Sequence, residues 1–256
     1  MNERAGREKE QYNKSFDEER SQYGKRFGHA NSGGYYADYT ASLIKNIMKD
    51  AAQKNVLELG STSWTRYLDL AGSPPARVTC INISEAELKK GKDILNNINT
   101  ATEFDFKIMD ANSLDFADET FDVVIGGGIL HHLDFETALK EVHRVLKKGG
   151  FCLFEEPLGC NPIGRYVRKR TPSARTVDEK PLEKNEILLL NKLFNAKCTF
   201  FQLFYVPAGV ISNKLFKTPY NILMKSAFHV DRFLAKVMPL AVRLQFRYVM
   251  IYLSKK

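Results

Sequence analysis

The sequence predicts an α/β fold, a parallel sheet covered by helices on both faces. Three observations carry that expectation. Asn55-Val-Leu-Glu-Leu59 is a short apolar run that ends in Gly60, Ser61, Thr62 and Ser63, as a buried strand does when it feeds a tight turn into a helix. About twenty residues on, Arg77-Val-Thr-Cys-Ile-Asn-Ile83 is a second β-branched run, so strand, helix and strand make a right-handed βαβ unit. Short β runs then keep alternating with amphipathic stretches as far as residue 156.

Taken in order, residues 1–30 read as an exposed helix, with Tyr12/Phe16 and Tyr23/Phe27 at i, i+4. Gly28-His-Ala-Asn-Ser-Gly-Gly-Tyr-Tyr36 breaks it. A second helix is predicted over 37–52, with Leu43, Ile44, Ile47 and Met48 on one face. Strands are predicted at 55–59, 77–83, 104–109, 121–126 and 151–156. The intervening helices fall at 64–71, at 84–97 behind the capping residue Ser84, and at 135–147. Pro157, Pro162, Pro172 and Pro181 then punctuate a loop. A helix over 182–194 leads to a sixth strand at 198–206, and the terminal run 246–253 reads as a seventh. Residues 207–245 are too many for a bare connection and need structure of their own. The expected organisation is a helical cap (1–52), a core (53–206 with 246–256) and a helical insert (207–245).

A chain of 256 residues is long enough for one sizeable domain. No run of eighteen apolar residues exists, and the first ten residues are charged without an apolar stretch. Neither a membrane span nor a secretory signal is therefore expected, and a reducing cytoplasm fits the four cysteines. These show no paired metal spacing, and no metal is expected. The net charge of +8 conceals an asymmetry: residues 160–256 carry 18 Lys/Arg against 5 Asp/Glu, and residues 1–159 carry 20 against 25. A basic half of that kind suits a phosphorylated substrate, an anionic membrane surface or nucleic acid, or is a plain solvated lysine face.

Val56-Leu-Glu-Leu-Gly60, Asn82 at the second strand's end, Met109-Asp-Ala-Asn-Ser-Leu-Asp-Phe116, Phe121-Asp-Val-Val-Ile125, Leu130-His-His-Leu133 and Glu141-Val-His-Arg-Val-Leu-Lys-Lys-Gly-Gly150 come in this order. Together they resemble the class I S-adenosylmethionine-dependent methyltransferases, in particular the type 11-like group acting on small molecules, lipids and sugars. The resemblance covers roughly 35–206 plus the terminal strand. It implies a seven-stranded Rossmann-like sheet whose last strand is antiparallel. It also implies S-adenosyl-L-methionine as methyl donor and S-adenosyl-L-homocysteine as product. The cofactor residues it implies are Glu58, Gly60, Ser61, Thr62 and Ser63 at the methionine end, Asn82 and Ile83 at the ribose, Asp110 and Ala111 at the adenine, and Gly126 and Gly127 for close approach, with Tyr36 nearby. Two departures stand out. Thr62 and Trp64 replace the family's second and third glycines, and Asn82 replaces an acid that takes both ribose hydroxyls. Trp64 reads better as a helix-start residue packed on the sheet than as a stacking partner.

Methyl transfer is an in-line displacement that needs alignment, exclusion of water and, for a hydroxyl acceptor, a base. His131, His132, Glu156 and His29 are the candidates, with packing, capping or loop-holding as the alternative for each. Five cations in the loop after the fifth strand include Arg165, Arg168 and Arg170, and Arg175 is among them; these suit an anionic acceptor. The insert interleaves apolar residues with Lys and Arg, as in a lid over the acceptor, a homodimer surface or an interfacial helix on anionic lipid. The expected activity is methyl transfer to an oxygen or nitrogen of a small or lipid-linked anionic acceptor, a sugar or other secondary metabolite. The rival is a methyltransferase-like binding protein without turnover. Nucleic acid ranks below both, because the basic loop holds only Tyr166 as an aromatic. The absence of Gly-x-Gly-x-x-Gly argues against a nicotinamide-dependent oxidoreductase.

Overall fold

The computed structural model describes residues 3–13, 27–61, 64–70, 74–170, 176 and 178–255. Strands β1 (Asn55–Leu59), β2 (Arg77–Asn82), β3 (Glu103–Ile108), β4 (Phe121–Gly127), β5 (Leu146–Pro157), β6 (Phe194–Phe201) and β7 (Tyr248–Lys255) form one sheet in the order β3-β2-β1-β4-β5-β7-β6. Neighbours from β3 through β5 pair in parallel, whereas β7 runs antiparallel between β5 and β6. The order reverses between β1 and β4, and such a switch opens a crevice at the carboxyl ends of the strands. The antiparallel seventh strand that the resemblance implied is present.

The helices are α1 (Glu3–Asn13), α2 (Tyr35–Met48), α3 (Trp64–Leu70), α4 (Glu85–Leu95), α5 (Phe135–Val145), α6 (Pro162–Lys169), α7 (Lys184–Leu193), α8 (Tyr205–Leu215), α9 (Ile222–Val237) and α10 (Leu240–Arg243). Side chains alternate across each strand, so the sheet feeds two apolar layers. Leu57, Leu59, Val124 and Phe154 pack against α5 and α7 on one face. Val56, Cys80, Val123 and Ile125 meet α2, Trp64 and α9 on the other. Ser84 and Asp134 cap α4 and α5 by accepting from the Glu87 and Thr137 N–H groups.

Three expectations need correction. The sixth strand ends at Phe201: buried Asp231 accepts the Leu203, Phe204 and Tyr205 N–H groups at 2.8, 2.7 and 3.1 Å, and α8 starts at Tyr205. A short-range pattern does not reveal a partner 26–28 residues away. The basic loop contains α6, capped by Asn161 with Pro162 in its first turn. Strand β5 starts at Leu146 and not at 151, taking in the 147–150 stretch that reads as a turn. Of the expected first helix, α1 (Glu3–Asn13) is described, and the expected break at Gly28 is a short 3-10 turn over Gly28–Ala30. Phe16 and Tyr23 lie outside the described residues.

Candidate active site

A cavity of about 1230 Å³ opens at the carboxyl ends of the strands, with Gly60, Asn82, Ile83, Asp110, Ala111 and Gly127 in its wall. Single-ligand sites run to roughly 300–1,000 Å³, so this volume suits two molecules side by side. Trp64 does not fill it: the ring is buried against Phe104 and Phe106, at 4.5 and 6.2 Å between centroids.

The turn after β1 has Gly60 and Ser61 both left-handed, at φ +94° and +49°. Asn82 secures it, donating from Nδ2 to the Gly60 carbonyl while its Oδ1 accepts from the Ser84 N–H at 2.8 Å. A carboxylate cannot make the first of these bonds, which gives a physical reason for the amide. Across the crevice, Asp110 Oδ1 accepts from both the Asn112 N–H and its Nδ2, at 2.9 and 2.8 Å. That loop is fastened from α5. Glu141 accepts the Leu114 N–H at 2.8 Å, and Arg144 donates to the Leu114 and Phe116 carbonyls.

The loop after β4 is built around Glu156, which is fully buried. It accepts the Ile129, Leu130 and His131 N–H groups at 3.0, 2.8 and 3.4 Å, and its Oε2 lies 2.7 Å from His131 Nδ1. Glu156 therefore faces the loop and positions His131. A carboxylate behind Nδ1 fixes the tautomer and the orientation of the ring. His132 stacks beside it with ring centroids 4.1 Å apart, and its Nδ1 lies 3.3 Å from Glu8 of α1 and 3.2 Å from Thr176. Burial holds the His132 imidazole below its usual range, against the pull of Glu8. Both histidines border the cavity.

Other expected site residues fall elsewhere. His29 is buried with Nδ1 2.8 Å from Ser212 Oγ, tying the 3-10 turn to α8, and it does not border the main cavity. Tyr36 is buried among Tyr205, Phe201 and Phe228 and also stands outside that cavity. Glu58 is fully buried on the β1 face that carries Val56, away from the mouth. Gly126 sits behind Ile129, whose side chain an added Cβ would strike at 2.7 Å. Arg165 turns to Glu183 and the Gly159 carbonyl. Arg168 and Arg170 do border the cavity. Thr62, Ser63 and Arg175 lie outside the described residues.

No local pattern in the sequence points to Arg4, Glu8 and Glu179 as site residues. They arrive by docking: Arg7 pairs with Asp178 at 2.8 Å, and Arg4 donates to the Asp178 carbonyl at 2.9 Å. The Lys180 N–H donates to the His131 carbonyl at 2.8 Å. Only the pairing of distant segments brings these groups together. One result is that His131, His132 and Glu179 each offer a ligand atom within 4.8 Å of the others. Cysteine spacing could not have signalled this group.

Residues 57–154 match the family described as a methyltransferase domain. Demethylmenaquinone methyltransferases of Staphylococcus aureus strains JH9 and Newman are 40% identical over 114 residues, which is 41% of this chain and 45% of each relative. The chain thus spans less than half the length of the curated relatives it matches. Among solved structures, the N-methyltransferase NodS from Bradyrhizobium japonicum WM9, in complex with S-adenosyl-L-homocysteine, aligns over 88% of this chain and 89% of its own, with TM-score 0.54 and 11% identity. A geranyl diphosphate C-methyltransferase from Streptomyces coelicolor A3(2) aligns over 86% and 79%, with TM-score 0.58 and 13% identity. At these identities the likeness shows the shared fold.

Proposed function

We propose that this chain, whose residues 57–154 match a methyltransferase-domain family, moves a methyl group from S-adenosylmethionine to an oxygen or nitrogen of a lipid-linked small molecule. The observation that carries this reading is one cavity wall that joins two kinds of surface. One part is the strand-end rim of Gly60, Asn82, Ile83, Asp110 and Ala111; the other is an apolar flank of Ile163, Val206, Val210 and Ile211.

The rim suits the donor. On this reading the left-handed turn at Gly60 meets the amino acid end, Asn82 the ribose, and Asp110 with the Ala111 N–H the adenine; all four border the cavity. When bound, the donor supplies an electrophilic methyl group on a positively charged sulfur. The chain's own residues align the acceptor, exclude water and take a proton. His131 is the proposed base, with Glu156 behind Nδ1 fixing the ring so that Nε2 is the nitrogen left to accept the proton.

The apolar flank suits an acceptor with a hydrocarbon part, and Arg168 and Arg170 beside it suit an anionic end. The curated relatives are named for demethylmenaquinone, which has such a hydrocarbon part but no anionic end. On this reading the exposed apolar residues of α8 and α9 rest on an anionic membrane surface and take the acceptor from it.

The test uses calorimetry with S-adenosylmethionine and S-adenosylhomocysteine, followed by transfer of labelled methyl from the donor into a lipid extract. Micromolar binding with label in the organic phase is expected. Tight binding with no transfer into lipid or water-soluble acceptors would favour a binding protein, and no binding at millimolar ligand would end the reading altogether.

A further inference from the structure

We propose that His131, His132 and Glu179 form a site for a first-row divalent metal ion, zinc being the representative, in the wall of the main cavity. Three ligand atoms within 4.8 Å of one another can converge on one ion at the usual ligand distances of about 2.0–2.2 Å. Two imidazoles and one carboxylate are a donor set that such ions take, and a set of three leaves coordination positions for an outside molecule.

Proximity alone would be weak evidence, because histidines and acids often cluster on surfaces. These histidines are buried, at 8% and 7% exposure, and each is braced from behind. Glu156 lies 2.7 Å from His131 Nδ1 and is itself fixed by three backbone N–H groups. Glu8 lies 3.3 Å from His132 Nδ1 and accepts a hydrogen bond from Thr176 at 2.6 Å. Carboxylates that engage one ring nitrogen and orient the other toward an ion are the recurring support of metal-binding histidines. Three carboxylates around two imidazoles also give the spot a field that favours a cation. Arg4 is the nearby cation, and its guanidinium is directed to the Asp178 and His131 carbonyls.

The segment that brings Glu179 is held in register by the Lys180 N–H on the His131 carbonyl, at 2.8 Å. All three ligands border the cavity, so an ion there faces a bound molecule. Its open positions suit an acceptor oxygen, such as a hydroxyl or ketone. With an ion bound, His131 is a ligand and no longer the base, and the ion would instead make an acceptor hydroxyl acidic enough to lose its proton to solvent at the cavity mouth. That assignment of the oxygen rests on the methyltransferase reading, whereas the ion site itself does not.

The experiment titrates zinc, and separately cobalt(II), into the full chain freed of any histidine tag. Heat and cobalt d–d absorbance are the readouts, and S-adenosylhomocysteine binding is measured in parallel. One ion per chain is expected, with affinity reduced at least tenfold by Glu179→Gln and by His132→Ala. Glu179 sits on a partly exposed segment, so its variant keeps the test valid even if the buried His132 variant fails to fold. Absence of heat and absorbance at hundredfold excess metal overturns the site, as does saturation equal to wild type in the Glu179 variant. S-adenosylhomocysteine binding without zinc binding removes only the ion site. Zinc binding without S-adenosylhomocysteine binding keeps the site and removes its role toward an acceptor.

Discussion

Glu156 shows how one buried side chain organises the loop after β4. Its carboxylate accepts three backbone N–H groups and faces His131 Nδ1, so Glu156→Gln turns an amide NH₂ toward donors. We expect a loss of about 1–3 kcal/mol in denaturant unfolding, the range for stranding buried polar groups. If Glu156 positions the base, kcat falls roughly 10–100-fold with little change in KM for the donor. A parallel rise in KM would mark a merely collapsed loop. Asn82 supports a second expectation. Asn82→Asp places a carboxylate against the Gly60 carbonyl in place of a donated bond, so nucleoside affinity should drop about tenfold, equivalent to roughly 1–2 kcal/mol. Tighter binding in calorimetry would mean that an acid serves the ribose better than the amide serves the turn. The sequence makes Asn82 visible as a departure from an acid. It does not show that both ends of the amide are engaged by the neighbouring backbone.

At the scale of elements, local signals suffice wherever a segment's structure is decided by its own residues. Strands β1 to β4 and the starts of α4 and α5 sit where alternation and capping residues put them, whereas β5 begins at Leu146, ahead of the expected 151. The pattern misplaces a boundary where a distant partner decides, as at the end of β6, where Asp231 captures three N–H groups. The Glu141–Arg144 pair is a similar long-range clamp, joining α5 to the loop that carries Asp110. The Arg144 hydrogen bond, aided by the Leu114 N–H and opposed by burial, holds Glu141 below the usual carboxylate range. A lowered folded-state pKa gives stability that is complete above the unfolded value of about 4.3 and disappears as pH falls through the lower folded value. Wild type and Glu141→Gln should therefore differ in urea midpoint near pH ~6 and converge as the pH drops toward ~3. A constant gap would show that the carboxylate's charge is irrelevant. Helix packing offers a sharper case. A Cβ on Gly209 of α8 would lie 2.5 Å from the Ala30 N and 2.6 Å from its Cβ, so Gly209→Ala must separate α8 from the 3-10 turn. Overpacking of that kind should cost about 1–3 kcal/mol in chemical denaturation.

At the scale of the whole molecule, the long insert leaves apolar residues on the surface beside some of the cations of the basic half. Among the described residues, no helix is long and apolar enough to cross a membrane. Yet Leu215, Ile222 and Phe233 are 68, 70 and 62% exposed, and Ile163 and Tyr166 are exposed on α6 at the cavity wall. On α9, Ile222, Val230, Phe233 and Val237 fall within an arc of about 80° at roughly 100° per residue, with Lys225, Arg232 and Lys236 along one edge. Apolar groups flanked by cations suit the boundary between headgroups and acyl chains, where sequence pattern alone leaves lid, dimer surface and membrane contact open. Leu215, Ile222 and Phe233 do not border the cavity, although Val210 and Ile211 of α8 do. Burying one Ile or Phe is worth about 1.5–3 kcal/mol, so Ile222→Glu with Phe233→Glu should lower binding to phosphatidylglycerol vesicles at least tenfold. Nucleoside affinity, set at the strand ends by residues other than these two, should not move. Equal vesicle sedimentation of variant and wild type would return this face to solvent or to a second copy of the chain, and a concentration-dependent mass in light scattering would then identify the latter.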